Sequence, residues 1–486
     1  MRPTVDESKY AEEPVAMGST VRAIFTSQGF VKEVKGSVDT IGLVLDESPF
    51  YAEAGGQVAD RGTITFMSSK GHPIVLDVID VQTYGGFLLH TCIAPSEMDD
   101  LDNALLSVGM TVQMTVDSAL RRRVAPNHTM THVLNFALRE VLGEGVDQKG
   151  SSVNEERLRF DFSHNRGLSV EEIQRIESIV NKVITAELPV DTKVVPLKDA
   201  LSVSGLRAVF GEVYPDPVRV VSVGQQVAHL VSNPANAEWG QYSIEFCGGT
   251  HLSNTRDAKA FVVVEETAVA KGIRRITGIT GAAAVDAVSK GVQLKSRVEH
   301  LSARMALKED LNTLEEEVSA ERAALEMTVL SQALKSLVRN ELEGMQKQLS
   351  FRRSAELLAA VDLKIEGIKA HAKKISSEGK KAAVFRLDIG SDAKAIKRAI
   401  DSIKAVAPEL SFMCVSTETD KVTCFAVRSP SGGSLKANEW VSQAVTVGGG
   451  RGGGRDSQAQ GSISDPSKVD ALIKEAEKYA AAAVFV

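Results

Sequence analysis

The sequence predicts an α+β fold in four parts, on three observations. Residues 20–120 set short apolar runs at 40–45, 62–66, 74–81 and 110–116 between turn signals at Gly55, Gly56, Gly71, Gly85 and Gly86, which is a β-rich pattern. Residues 283–349 contain no proline and little glycine, and their apolar residues step four, three, four, which is a helical pattern. From residue 380 the chain returns to apolar strands alternating with amphipathic helices. The expected layout is a β-rich part over 1–120, an α/β part over 121–282, a long helical spacer over 283–379 and a small α/β domain over 380–486.

In chain order, residues 121–142 carry Val133, Leu134, Ala137, Leu138, Val141 and Leu142 at helical spacing, with His128 and His132 in the first turns. LRFDF at 158–162 predicts a strand. Residues 169–187 predict a helix opening on Ser169, with Glu171 and Glu172 behind it as a capping signal. Strands follow at 218–223 and 243–246. In the spacer, Leu294, Val298, Leu301 and Met305 make one apolar seam and Leu307, Leu311, Leu314 and Val318 a second. This predicts one long amphipathic helix or an antiparallel pair. The seam either packs on its own neighbours or serves self-association, and its drift after Ala320 favours the former. The last part predicts strands at 382–389, 410–415 and 422–427, and helices at 392–403, 437–445 and 467–481.

A length of 486 residues, 43% hydrophobic and 24% charged, allows more than one buried core in an ordinary globular chain. The net charge of −7 gives no global case for nucleic-acid binding, so any such binding must use a local patch. No apolar run is long enough to span a bilayer, so no membrane partner is expected. The acid-rich start lacks an apolar stretch and reads as neither signal nor transit peptide. Four scattered cysteines are too few for a disulfide framework, which fits a reducing, cytoplasmic setting.

Two strings carry the chemistry. HTMTH at 128–132 and CGGTH at 247–251 each place two metal-ligand types four positions apart. On a helix His128 and His132 share a face, and Gly248 and Gly249 let Cys247 and His251 fold back toward one point. Three nitrogens and one sulfur form a zinc-type donor set. If all four bind, the tetrahedron is closed; if one is loose, water or a substrate oxygen takes its place. The metalloprotease string is absent, because Thr129 follows His128 and supplies no glutamate base. His72, His90, His164, His229, His300 and His371 lack such partners and read as structural or solvated.

Two basic features are less decided. The glycine run at 448–454 reads either as a flexible linker or as a backbone nest with Arg451 and Arg455 as cationic arms for phosphate. Lys271, Arg274 and Arg275 form a cluster that is either a binding patch or a solvated strand. No Gly-Lys-Ser/Thr phosphate loop exists, so no ATP site is expected.

The strings DESPFYAEAGGQ (46–57), NHTMTH (127–132), QKGSSV (148–153), LRFDFSH (158–164), SIEFCGGTH (243–251) and KGIRRITGITG (271–281) occur in the order found in the editing domain of alanyl-tRNA synthetases and freestanding alanyl-tRNA editing proteins. GGGRGGGRDSQAQGS (448–462) resembles the tRNA-binding tail of the same synthetases. The resemblance implies a zinc-containing editing domain, one Zn2+ ion held at His128, His132, Cys247 and His251, and hydrolysis of misacylated tRNA(Ala), chiefly seryl- and glycyl-tRNA. The need is physical: an alanine pocket cannot strongly reject one extra hydroxyl, so a second, hydrolytic site is required. Ser48 stands where the family usually has threonine, a proposed reader of the serine hydroxyl, and Gln57 matches a pocket-lining position. Gly449, Gly450, Arg451, Gly452 and Arg455 match tRNA contacts, with Arg451 replacing the more usual lysine. The general base stays open among the terminal ribose hydroxyl, a metal-bound water and a side chain.

The family's ATP-dependent activation domain precedes the editing domain by several hundred residues, and here the editing match begins about twenty residues from Met1. The expectation is therefore a trans-editing factor, with two alternatives. One is a C-terminal fragment of an alanine–tRNA ligase working beside a separate catalytic chain, and the other is a non-catalytic tRNA-binding module.

Overall fold

The computed structural model describes residues 2–11, 16–35, 40–68, 70–93, 105–208, 212–307 and 309–484. They form two compact units, one of Met1–Glu309 with Glu316–Glu343 and one of Asp310–Glu315 with Gly344–Val486.

The first unit begins with a closed antiparallel barrel. Strand Met17–Thr26 pairs with Ile41–Leu45 through its second half and with Thr111–Val116 through its first; Phe87–Ile93, Pro73–Tyr84 and Gly62–Met67 complete the circuit. Closure follows from alternation: every second residue of Phe87–Ile93 and Thr111–Val116 is buried, so one side of each strand fills the interior. Val21, Ile24, Leu43, Ile64, Ile74 and Met114 make that core.

Asp117 then caps the helix Ser118–Leu142 by accepting from Leu120 N at 2.9 Å. From Val124 to Asn135 every residue of this helix is buried, so it is a core helix rather than a surface one. Helix Val170–Thr185 opens on a full capping box between Ser169 and Glu172, as the sequence predicts. Both helices cover the antiparallel sheet of Gln148–Val153, Leu158–Ser163, Ile273–Thr280 and Phe261–Ala270. A smaller sheet joins Val190–Val195, Val218–Val223 and Ser243–Phe246, and Cys247 follows its last strand.

The spacer departs from expectation. It is three helices, Gly281–Ala306, Leu311–Met327 and Gln332–Ser377, rather than one or two. The first ends at Ala306, so Leu307 leaves the seam and lies exposed, while Asp310 caps the next helix through Thr313 N at 2.9 Å. Leu294, Val298, Leu301 and Met305 are buried, and Arg297–Glu321 and Arg304–Glu317 pairs tie the first two helices side by side.

The second unit carries a five-stranded sheet in the order Ala382–Arg386, Ser411–Thr417, Val422–Val427, Gln458–Ile463, Arg451–Arg455. The first pair is parallel and the rest antiparallel. Helix Ala393–Val406 lies on one core and helices Ala437–Val445 and Val469–Val484 on the other. The glycine run is neither linker nor nest: Arg451–Arg455 is an edge strand. A Cβ on Gly450 would stand 2.1 Å from Ser462 O, and one on Gly452 would stand 2.6 Å from Val441 Cγ1, so close backbone and helix approach selects glycine there. Among the described residues, no helix is long and apolar enough to cross a membrane.

Candidate metal centre

The buried helix Ser118–Leu142 presents His128 and His132 one turn apart, with ring centroids 5.3 Å apart. The turn after strand Ser243–Phe246 presents Cys247 and His251. The four ligand atoms lie within 4.8 Å of one another. Cys247 Sγ is 3.3 Å from both His128 Nε2 and His251 Nε2. Tetrahedral zinc with N and S ligands at about 2.0 and 2.3 Å needs an N–S separation of roughly 3.5 Å, so the donor set and its spacing fit such an ion.

Each imidazole is aimed by its other nitrogen. His128 Nδ1 donates to Gln57 Oε1 at 2.5 Å. His132 Nδ1 lies 2.7 Å from Glu245 Oε2, off the ideal donor direction, while Asn135 holds the other oxygen of that carboxylate. His251 Nδ1 lies 3.2 Å from Thr129 Oγ1, whose own proton goes to Ala125 O, so the hydroxyl accepts from the ring. With the rings neutral, as metal binding requires, three Nε2 lone pairs are left for the centre, the arrangement that fixes tautomer and ring orientation in histidine metal sites.

Electrostatics separate this cysteine from the others. Burial pushes the thiols of Cys92, Cys414 and Cys424 up to about 12. Burial also opposes ionisation of Cys247, but His128, His132 and His251 outweigh it and hold the thiol well below its usual value, as a metal-binding thiolate needs. For His132, burial disfavours charge, and Glu245 with Cys247 overrides it to lift the pKa to about 10. Burial takes His251 down to about 3.

The turn is built for close approach. A Cβ on Gly249 would stand 2.1 Å from His128 Cε1. Arg219 Nη1 donates to Cys247 O at 2.9 Å and Gly249 O at 2.8 Å, and Tyr10 Oη donates to Gly248 O at 3.0 Å. Gln57 reaches across from the barrel, donating from Nε2 to Thr250 Oγ1 at 2.8 Å and accepting from Thr250 N at 3.0 Å. Sequence reasoning missed Thr129, Glu245 and Thr250, which lie inside the strings it singled out. It also missed Tyr10 and Arg219, for which no local pattern exists.

Three family models match the chain: "tRNA synthetases class II (A)" over residues 2–120, "Threonyl and Alanyl tRNA synthetase second additional domain" over 218–277 and "DHHA1 domain" over 379–482. The cytoplasmic alanine–tRNA ligase of Dictyostelium discoideum is 37% identical over 489 residues, covering 99% of this chain and 50% of the relative. The alanine–tRNA ligase of Candida albicans is 36% identical over 98% of this chain and 47% of its own length. This chain is homologous to the C-terminal half of alanyl-tRNA synthetases. The mitochondrial enzyme of Saccharomyces cerevisiae is 47% identical over 58% of this chain and 28% of its own length. The chain thus spans about half the length of the curated relatives it matches over its full extent.

The remaining residues singled out in sequence fall into distinct settings. Gln57 touches His128, but Ser48 is wholly buried with its hydroxyl already used. It donates to His90 Nε2 at 2.8 Å and accepts from Phe50 N at 3.2 Å, while His90 Nδ1 bonds Leu43 O at 3.1 Å. His90 is therefore a neutral core histidine, held down to about 4 by burial. Arg274 is paired with Glu266, and Arg275 makes two 2.7 Å bonds to Asp161. Lys271 is exposed at the hairpin turn. In the second unit, Arg451 and Gly452 line an open groove of about 870 Å³ with Lys397 and Lys404, while Gly449 forms the turn before the edge strand and Arg455 ends it exposed.

Proposed function

We propose that this chain is an aminoacyl-tRNA hydrolase that cleaves the ester of misacylated tRNA(Ala), seryl- or glycyl-tRNA, at the zinc centre of His128, His132, Cys247 and His251. The observation that carries this reading is the convergence of four ligands from two distant strings, with each imidazole aimed by a neighbour. A bound Zn2+ supplies Lewis acidity and charge for an ester carbonyl or its attacking water. The chain's own residues hold the centre in place. Gln57 fixes His128 and, with Thr250, forms a polar wall reached from the barrel. Ser48 sets the 46–57 segment from behind through His90 rather than offering a free hydroxyl.

The second unit supports tRNA capture, with Arg451 and Arg455 of the glycine strand as phosphate contacts. Removing either should lower the salt slope of tRNA binding by about one. A cytoplasmic setting fits this substrate. A second reading is compatible with the half-length match: the same hydrolytic site serves an alanine–tRNA ligase together with an aminoacylating part. Self-association through the spacer finds less support, because its apolar seam packs on its own chain.

Purified protein given seryl-tRNA(Ala) should release serine and spare alanyl-tRNA(Ala), and Cys247→Ala should abolish release. Equal inertness of wild type and variant refutes the hydrolase. Release that requires an added aminoacylating chain supports the second reading.

A further inference from the structure

We infer that Tyr10 and Arg219 form a clamp that holds Cys247 in its metal-binding position, which makes the segment ahead of the barrel a working part of the metal centre. The inference rests on the zinc reading above.

The Cys247–Gly249 turn needs restraint from outside. Gly249 is required by the approach of His128, and two adjacent glycines leave a backbone with many accessible conformations. All three carbonyls of the turn are held from one side. Arg219 spans the first and third from a single Nη1, and Tyr10 takes the middle one. The two side chains also hold each other, with Arg219 Cζ 4.0 Å from the Tyr10 ring centroid, a cation–π stack. Cys247 N completes the set by donating to Arg219 O at 3.2 Å. Among the described residues Arg219 makes no ion pair with a carboxylate; its largely buried charge faces the turn carbonyls, the Tyr10 ring and the Cys247 thiol.

Tyr10 is itself anchored. Its segment runs along the 45–48 stretch of the barrel, with Val5 N on Asp46 O and Ser48 N on Val5 O, both at 2.9 Å, and Thr4 Oγ1 on Leu45 O at 2.9 Å. That stretch leads to Gln57, which fixes His128. The barrel therefore reaches both ligand strings, His128 through Gln57 and Cys247 through Tyr10.

The test is zinc affinity of the full chain, read by competition with a chromophoric chelator, together with the thiolate-to-cobalt absorption of Co2+-loaded protein. Tyr10→Ala should weaken zinc binding by about 10- to 100-fold, as loss of a ligand-orienting partner does, and should reduce the cobalt–thiolate band. Arg219→Lys should act similarly, because a point ammonium does not replace the rigid planar guanidinium that spans two carbonyls and stacks on the ring. Tyr10→Phe keeps the ring over Arg219 and loses one hydrogen bond, so about fivefold weakening is expected; this variant carries the test if Tyr10→Ala does not fold. Phe30→Ala, on the exposed barrel hairpin, should match wild type. Zinc affinity within twofold of wild type and an unchanged cobalt band in Tyr10→Phe and Arg219→Lys overturn the clamp. Wild type that binds no zinc overturns the metal reading as well, whereas tight wild-type binding with indifferent variants overturns the clamp alone.

Discussion

Alanine at Gly249 and alanine at Gly248 should have opposite consequences, although the two positions are adjacent. Neither glycine has a positive φ, so the backbone alone forbids alanine at neither. Space decides. A Cβ on Gly249 would stand 2.1 Å from His128 Cε1, 2.4 Å from His128 Nδ1 and 2.9 Å from Gln57 Oε1. Carbon atoms in ordinary contact sit at about 3.5–4.0 Å, so the imidazole must move by more than about 1 Å. His128 is buried in a core helix and bonded at Nδ1, so it has no slack, and metal-ligand distances tolerate only about 0.2 Å. Gly249→Ala should therefore weaken zinc binding at least 10- to 100-fold and, on the proposed hydrolase reading, slow ester cleavage by about 10²-fold. A Cβ on Gly248 meets only Tyr10 Oη, at 4.0 Å, and Gly248→Ala should bind zinc like wild type. Chelator competition and metal content of the two purified proteins measure this. Wild-type affinity in Gly249→Ala, or equal loss in Gly248→Ala, refutes the argument.

Four further outcomes rest on the same structure. Burial raises the Glu177 carboxyl from 4.5 to about 7, against hydrogen bonds from Val263 N and Ser331 Oγ. An acid with a higher pKa folded than unfolded binds more protons folded, so its contribution is fully present below about pH 4.5 and is lost as pH rises through about 7. Glu177→Gln should gain on wild type across that window by up to about 3 kcal/mol in denaturant melts, and a pH-independent difference refutes it. Ser48→Ala strips His90 Nε2 of its donor inside the barrel and should lower stability by about 1–3 kcal/mol in a urea melt; unchanged stability with altered serine selectivity would restore a substrate-reading role. Gly450→Ala should disrupt the edge strand and shift the fluorescence of buried Trp440, whereas Gly453→Ala, with nothing within 4 Å, should not. Chelation should lower the melting transition reported by Trp239 in the first unit and leave that reported by Trp440 in the second, read in Trp440→Phe and Trp239→Phe proteins; equal shifts of both refute a centre confined to the first unit.

The candidate cluster was legible because its chemistry is local in sequence. A four-residue step puts His128 and His132 on one helix face whatever surrounds them, and a glycine pair between Cys247 and His251 signals a turn under constraint. Strands at 218–223 and 243–246 and the capping box at Ser169 were legible for the same reason, since period and cap chemistry act over a few residues. The glycine run misled because composition cannot tell a chain that is free from one that is crowded. Linker and edge strand both select glycine, the first for freedom and the second because Ser462 O and Val441 leave no room for a side chain. Leu307 misled because the apolar step continued past Ala306, where one helix ends before Asp310 caps the next.

What no local pattern could reach is the orientation of the ligands. Gln57 lies 71 residues from His128, Tyr10 lies 238 residues from Gly248, and Glu245 faces the helical His132 from a strand of the small sheet. Each of these partners acts on a nitrogen or carbonyl that a ligand motif leaves unspecified, and each comes from an element that must already be folded. The barrel supplies Gln57 and anchors Tyr10, the small sheet supplies Arg219 and Glu245, and the core helix supplies two histidines together with Thr129. A candidate donor set that two elements present and a third orients exists only in the folded unit, so metal affinity and the docking of barrel on sheet and helix are one equilibrium. Substitutions at Gln57 or Tyr10, which touch no metal, should therefore appear first as weaker zinc retention, before any loss of secondary structure.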